Sequence, residues 1–426
     1  MKSFGIFKSD FFKNTLWLTS GTTIAQAISF LTAPVLTRIY LPEDYGMLGL
    51  YMVFCTLVGT FSTFQYSNAI IISEDDNTAE NVLQLSLLIN VIVTIVSAVG
   101  IFFTRHWISE VYKSPHLKDW ILFAPLSLFF AGLNNIFSAW GVRKRAFKLL
   151  SKNRIYTALL SPVFSISIGY FLGGPLGLFV GLLISQILPT FRMSYFFFRQ
   201  DNLRLNIHRE NILMVVKRFS NFPKFSLPAD FINNFSNQIP VKILSQVAGQ
   251  SVIGWYGISV RMLVIPIALI ATSIGDVFRQ RAAKDYNEFG SCRPIFLKVL
   301  KTLFLIAIVP FGILILFAPD IFSFFFGSVW RGAGEITSIL GVLYLFKFVV
   351  SPLSYVTYIA QKQWLSLLID ILLICVVCLI YFIGTHWHMK YTLILLIYAL
   401  SYSLLYFITL YFSYKFSKNE KHIIAS

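Results

Sequence analysis

The sequence predicts an all-α membrane protein, with about twelve transmembrane helices in two six-helix lobes around a central cleft. The first observation is length without charge. Residues 45–73, 82–103, 120–142 and 391–414 contain no Asp, Glu, Lys or Arg. A helix needs about 20 apolar residues to cross a hydrocarbon core. The second is composition. Charged residues make up 13% of the 426 and hydrophobic residues 56%. A soluble domain carries about twice that charge, so a soluble reading is excluded. The third is the placement of the basic residues. With the N-terminus inside, 24 of the 35 Lys and Arg fall in inside loops and tails, 6 outside and 5 within spans. That bias puts both termini in the cytoplasm and fits an even number of spans. It also explains the net charge of +16 without nucleic acid. Basic loops beside helix ends set orientation and meet anionic lipid.

Spans are expected at 14–37, 45–72, 82–103, 118–140, 155–173, 175–198, 222–247, 252–277, 300–326, 332–360, 364–385 and 391–414. Residues 1–13 carry Lys2, Lys8 and Lys13, and the uncharged run that follows is too long for a signal-peptide core. It reads as a retained first helix. Gly173-Gly174-Pro175 separates the fifth span from the sixth, because two glycines permit a tight reversal and proline cannot continue a helix. Arg199 to Arg204 opens the longest polar connection, and Ile207, Ile212, Val215, Val216 and Phe219 then make one apolar face of an interfacial cytoplasmic helix. The chain therefore divides into an N-terminal lobe at 1–205, a linker at 206–221 and a C-terminal lobe at 222–426. Pro34-Val35 followed by Gly46 and Gly49 parallels Pro240-Val241 followed by Gly254 and Gly257, at offsets of 206 and 208. Two parallel six-helix repeats around a cleft are an established transporter plan.

Polar residues inside a membrane are costly and tend to have roles. In the seventh span, Asp230, Asn233, Asn234 and Asn237 recur at i, i+3, i+4 and i+7, which places one carboxylate and three amides on one face. The expected role is the wall of a hydrated cavity able to accommodate a sugar. The alternative is hydrogen bonding between helices. Arg261 lies about 14 Å into the eighth span at about 1.5 Å per residue, where a guanidinium suits phosphate; an internal ion pair with Asp230 is the other reading. Lys347 is similarly deep in the tenth span. Arg192, Lys224 and Lys242 sit nearer span ends, where snorkelling is cheap. Arg38 ends the first span as a site residue or an interfacial anchor. Asp276 and Asp370 are candidates to carry a coupling ion. Gln26, Asn90, Asn134, Asn135 and Gln186 read as packing.

Catalytic signatures are absent from the sequence. There is no Walker A motif, no HExxH, and no implied cofactor or metal. Glu74-Asp75-Asp76 occupies a loop too short for a nucleotide-sugar domain. Cys375 and Cys378 form a CxxC inside an apolar helix and are expected to be buried packing residues and not a metal or redox site.

The stretch from Leu16-Trp17-Leu18-Thr19-Ser20-Gly21 to Pro34-Val35-Leu36-Thr37-Arg38 and Pro42-Glu43-Asp44-Tyr45-Gly46 resembles the start of Wzx-type polysaccharide flippases. So does Trp255-Tyr256-Gly257-Ile258-Ser259-Val260-Arg261 running on to Gly275-Asp276. The resemblance covers the full length, and the wider superfamily of multidrug, oligosaccharidyl-lipid and polysaccharide exporters shares the architecture. It implies a cleft opening alternately to either side of the bacterial inner membrane. It implies undecaprenyl-diphosphate-linked oligosaccharide as cargo, such as an O-antigen unit of lipopolysaccharide. It also implies membrane lipid, a polysaccharide polymerase and chain-length proteins as partners. The family's basic cavity residues carry over to Arg261 and Arg38. A cation-coupled multidrug antiporter is the alternative, kept alive by Asp230. A membrane glycosyltransferase would require a soluble catalytic loop that the sequence lacks.

Overall fold

A computed structural model describes residues 10–199, 201, 208–360 and 362–418; the side chains at 10–16, 18, 363, 366, 367 and 370 lie outside that description. Among the described residues everything is helix, turn or short connection, apart from one isolated bridge between Ser291 and Lys418.

The helices run in order: α1 Asp10–Ile39, α2 Pro42–Gly59, α3 Tyr66–Ile72, α4 Asp76–Val111, α5 Leu117–Trp120, α6 Ala124–Arg143, α7 Phe147–Leu172, α8 Leu176–Arg199 and α9 Arg209–Arg218. They continue with α10 Leu227–Val247, α11 Gln250–Pro266, α12 Thr272–Phe289, α13 Arg293–Phe326, α14 Arg331–Leu353, α15 Val356–Ile359, α16 Gln363–His386 and α17 Tyr391–Phe416. Each expected span falls on this list. Eight spans among the described residues are long and apolar enough to cross a membrane. The other four are α1, α2, α10 and α16: α2 is cut short, α10 carries a polar face, and the described part of α16 supplies the shorter apolar stretch Ile371–His386.

The cut in the second span is the main departure from the expected helix boundaries. An unbroken helix was expected over 45–72. The chain instead turns at 60–65, where Phe64 and Gln65 take left-handed φ values of 47° and 64°. Thr60, at this break, donates its hydroxyl to Thr56 O at 3.0 Å. The reversal between α7 and α8 is as expected, with φ near +64° at Gly173 and +63° at Gly174. The cysteines at 375 and 378 require correction. Cys375 is exposed and Cys378 half-buried, because that face of α16 points outward; both are free thiols.

By internal contacts the chain forms two compact units, 1–238 and 239–426. The polar linker expected at 206–221 lies earlier, but α9 and the first half of α10 pack on the first unit. Val215 of α9 is buried with Tyr66, Phe137, Trp140 and Phe197, while Ile212, Val216, Phe219 and Phe222 close over that cluster. Of the apolar face read from the sequence, Ile212, Val215, Val216 and Phe219 are in this cluster, and Ile207 lies outside the described residues.

Small residues let the helices of the first unit approach closely, as membrane packing without a hydrophobic drive requires. Gly21 of α1 lies against Ser151 of α7. Tyr40 donates its hydroxyl to Ser165 O at 2.7 Å. Its ring end occupies the space that side chains at Gly169 and Gly177 would fill. Asn90 donates to Phe129 O at 3.0 Å, and Asn153 to Asn134 Oδ1 at 2.9 Å. In the second unit Gly334 meets the Ala318–Pro319 backbone across the α13–α14 hairpin. Ser259 of α11 donates to Ala333 O at 2.6 Å, and the Trp255 indole to Val329 O at 3.1 Å.

Candidate functional site

The seventh span begins with a π-turn over Phe222–Ser226 and carries Pro228 and Pro240. Proline removes backbone hydrogen bonds and loosens the helix on either side of the polar residues. The four polar side chains do not share one environment. Asp230, Asn233 and Asn237 are exposed, on a strip that follows i, i+3 and i+7. Asn237 donates to Asn233 Oδ1 at 2.7 Å and to Asn233 O at 3.0 Å. Asn234 turns the other way, is half-buried, and donates to Thr60 Oγ1 at 2.9 Å. One residue of the stripe therefore ties α10 to the break in the second span, while three face outward. Phe231 supports the same junction, with its ring centroid 5.3 Å from that of Phe61.

The outward strip can offer a carboxylate, two amide carbonyls and two amide NH2 groups within about two helical turns. Asp230 has no ion-pair partner among the described residues. The strip is thus suited to a ligand rich in hydroxyls, which needs donors and acceptors together.

The basic candidates are distributed over both units. In the first, Arg38 is exposed at the end of α1 and Lys224 is exposed in the π-turn. Arg192 is half-buried, with its guanidinium 4.5 Å from the Tyr156 ring centre, and its Nη1 is buried without a hydrogen-bond partner. In the second, Lys242 and Arg261 are half-buried, and Arg261 has no carboxylate partner among the described residues. Lys347 is half-buried with its ammonium 5.4 Å from the Tyr344 ring centre. Asp276 is exposed and pairs with Arg279 at 3.4 Å, one helical turn away. Asp370 has its side chain outside the described residues.

Two features escaped the sequence reading. The first is an aromatic cluster in the second unit. Tyr398 and Tyr402 have ring centroids 4.4 Å apart, and Tyr256 and Tyr344 lie within electrostatic reach of Tyr402. Tyr398, Tyr402 and Tyr406 recur every fourth residue, a stripe visible in the sequence. The second is a basic pocket at the α6–α7 turn. It requires α8 to bring Arg192 beside that turn, which no local pattern indicates.

Nearby basic residues are structural. Arg143 donates to Ile70 O at 3.1 Å, to Ser73 O at 2.6 Å and to Asp76 Oδ1 at 3.0 Å, with Lys144 on the other carboxylate oxygen at 2.7 Å. Arg218 pairs with Glu74. The Glu74-Asp75-Asp76 loop is therefore a clamp between helix ends. Asp75 caps α4, accepting from Thr78 N at 2.7 Å and Thr78 Oγ1 at 2.8 Å. The backbone bond, then the hydroxyl, holds its carboxyl below the ordinary value.

These features define a multi-pass, all-helical membrane protein. Its fold is that of the lipid II flippase MurJ, with a TM-score of 0.73 at 14% identity over 92% of this chain and 87% of MurJ. It is also that of an inward-facing MATE multidrug transporter, with a TM-score of 0.69 at 14% identity over 91% and 93%. The chain belongs to the polysaccharide biosynthesis protein family, whose pattern matches residues 35–335. It is similar to the succinoglycan biosynthesis transport protein ExoT of Rhizobium meliloti, 23% identical over 80% of this chain and 67% of ExoT. It is also similar to an uncharacterized membrane protein in the cps region of Klebsiella pneumoniae, 22% identical over 88% of this chain and 76% of that protein.

Proposed function

We propose that the protein is a flippase, not an enzyme. It carries a polyprenyl-diphosphate-linked oligosaccharide across the bacterial inner membrane by alternating access, with both termini in the cytoplasm. The observation that carries the reading is the outward strip of α10, where Asp230, Asn233 and Asn237 stand exposed in a spanning helix of a polysaccharide biosynthesis protein. Lipid-facing helices do not keep such a strip, because each polar group placed in hydrocarbon costs several kcal/mol unless satisfied. A hydrated oligosaccharide with a diphosphate faces the same penalty many times over. Its lipid tail can remain in the bilayer while the head passes along amides and cations. Arg261 is the proposed diphosphate ligand, because a guanidinium grips phosphate oxygens two at a time. Arg38, Lys224, Lys242 and Lys347 are proposed to supply further positive charge.

Arg261→Ala tests this. In a strain lacking its own copy, the variant is expected to insert at the normal level, export no surface polysaccharide and accumulate lipid-linked oligosaccharide on the cytoplasmic side. Arg261→Lys is expected to rescue in part. Full export by the alanine variant removes Arg261 from the site. The unpaired Asp230 favours a second reading, a cation-coupled drug antiporter. That reading predicts drug resistance on expression and its loss in Asp230→Asn, with surface polysaccharide unchanged.

A further inference from the structure

The basic pocket of the first unit has about 560 Å³ of free volume, within the range that holds small ligands. Its cations are Arg145, Lys148, Lys152 and Arg192, and its aromatic walls are Trp17, Tyr195 and Phe196. It shares no residue with the polar face of α10. No carboxylate is among the described residues that line it, and none of the four cations forms an ion pair with a described residue. This sets it apart from its surroundings. Arg143 and Lys144, immediately before Arg145, are both spent on Asp76.

Three observations indicate a ligand and give its sign. Arg192 Nη1 is buried with no hydrogen-bond partner. A buried donor left unsatisfied is expensive, and a bound oxygen anion would satisfy it. Arg145 holds φ at 55°. The bonds from Ala146 N to Gly141 O at 2.8 Å and from Arg145 N to Val142 O at 3.1 Å place it where helices ordinarily end on glycine. A cation lining the pocket is thus kept in a conformation it disfavours, and such strain concentrates at functional sites. Finally, Lys148 lies 5.5 Å from the ring centre of Trp17, so an aromatic wall of the pocket holds one of its cations.

The surface next to the pocket identifies the carrier of the anion. Tyr156, Leu159 and Val163 on α7, and Leu188, Phe191 and Tyr195 on α8, are each at least 40% exposed. Both triplets follow i, i+3 and i+7, and both lead from the pocket toward the middle of their spans. This is an apolar strip that a bilayer would cover. Basic pockets between helix ends are suited to phosphate headgroups of membrane lipids. We infer that this pocket binds the phosphate of an anionic membrane lipid whose chains lie along the exposed strip of α7 and α8. The site needs no transport to be occupied, so its test is independent of the proposed function.

The test uses full-length purified protein in nanodiscs of phosphatidylcholine alone or mixed with phosphatidylglycerol. Lipid retained after gentle extraction is read by native mass spectrometry. The wild type is expected to retain phosphatidylglycerol over phosphatidylcholine. Each cation near the headgroup contributes about fivefold in affinity, so Lys148→Gln, Lys152→Gln and Arg192→Gln together should lower retention on the order of a hundredfold. The charge-keeping set Lys148→Arg, Lys152→Arg and Arg192→Lys should retain it. If the neutral triple variant does not fold, Lys152→Gln alone, at an exposed side chain, should still lower retention about fivefold. Equal retention of both lipids by the wild type, or unchanged retention in the neutral variants, overturns the inference. A third arm adds inorganic diphosphate to phosphatidylcholine nanodiscs. Binding there, without preference for phosphatidylglycerol, would assign the pocket to a soluble anion and reject the lipid.

Discussion

The amides of α10 are of two kinds, and substitution should separate them. Asn233 and Asn237 bond to each other at 2.7 Å and are exposed. Replacing both by Leu removes donor and acceptor together, so nothing buried is orphaned. Stability should stay within about 0.5 kcal/mol of wild type, since removing both partners of a hydrogen bond is close to neutral. Asn234 is different, because it crosses to Thr60 in the broken second span. Thr60 is 7% exposed but keeps its bond to Thr56 O, so Asn234→Leu costs one bond between helices and orphans no hydroxyl. Such bonds average about 0.6 kcal/mol and reach about 1.7. The expected fall in Tm is about 1–4 °C. Thermal unfolding in detergent measures these effects, and surface polysaccharide in cells measures transport. The double variant should be stable and fail to export, with lipid-linked oligosaccharide accumulating. Asn234→Leu should be less stable and still export in part. A double variant less stable than Asn234→Leu would refute the division of the amides into two kinds. A stable double variant that exports normally would show that the strip lies outside the passage.

Gly177→Val should destabilise the first unit by about 1–3 kcal/mol or more, since the new side chain collides with Tyr40 Oη and the α7 backbone, and detergent melting would reveal it. Arg143→Met keeps most of the volume but strips charged donors from Ile70 O and Ser73 O, so a loss of about 2–4 kcal/mol is expected in the same assay. Asp75→Ala removes the α4 cap and should lower Tm at neutral pH. The Asp75 carboxyl is depressed in the folded state, so its contribution is fully present above its unfolded value near 3.8 and is lost as pH falls through the folded one. The melting difference between wild type and Asp75→Ala should therefore close in strong acid, and a difference independent of pH would refute the assignment.

Apolar length made the spans legible, because the bilayer imposes one dimension on every helix that crosses it. The Gly173-Gly174 reversal was legible because only glycine adopts such φ freely. The break at 60–65 was not, because its left-handed positions are Phe64 and Gln65, and the surrounding uncharged run reads as continuous helix. The polar spacing of α10 was legible as a face, but its division was not. Asn234 sits a single position from Asn233, and whether it faces a neighbour depends on where the second span breaks. The basic residues at 145–152 were read as topology signals because a sequence shows their number and not their partners. Only the packing of α8 on α7 brings Arg192 to them.

Satisfaction, more than polarity, separates scaffold from candidate site in this chain. Tyr40 and Ser259 are polar groups among the spans, and each has a defined partner across a helix interface. Their energy is accounted for by packing. Asp230, Arg192, Arg261 and Lys347 lack a partner of opposite charge among the described residues. Holding an unpaired charge in a spanning helix costs a few kcal/mol. The same reasoning divides two adjacent segments of sequence. Arg143 and Lys144 are bound to Asp76 and read as scaffold, while Arg145, Lys148 and Lys152 face a cavity without an acid and read as a site. A single test, the effect of charge removal on folding as opposed to ligand retention, should sort both groups.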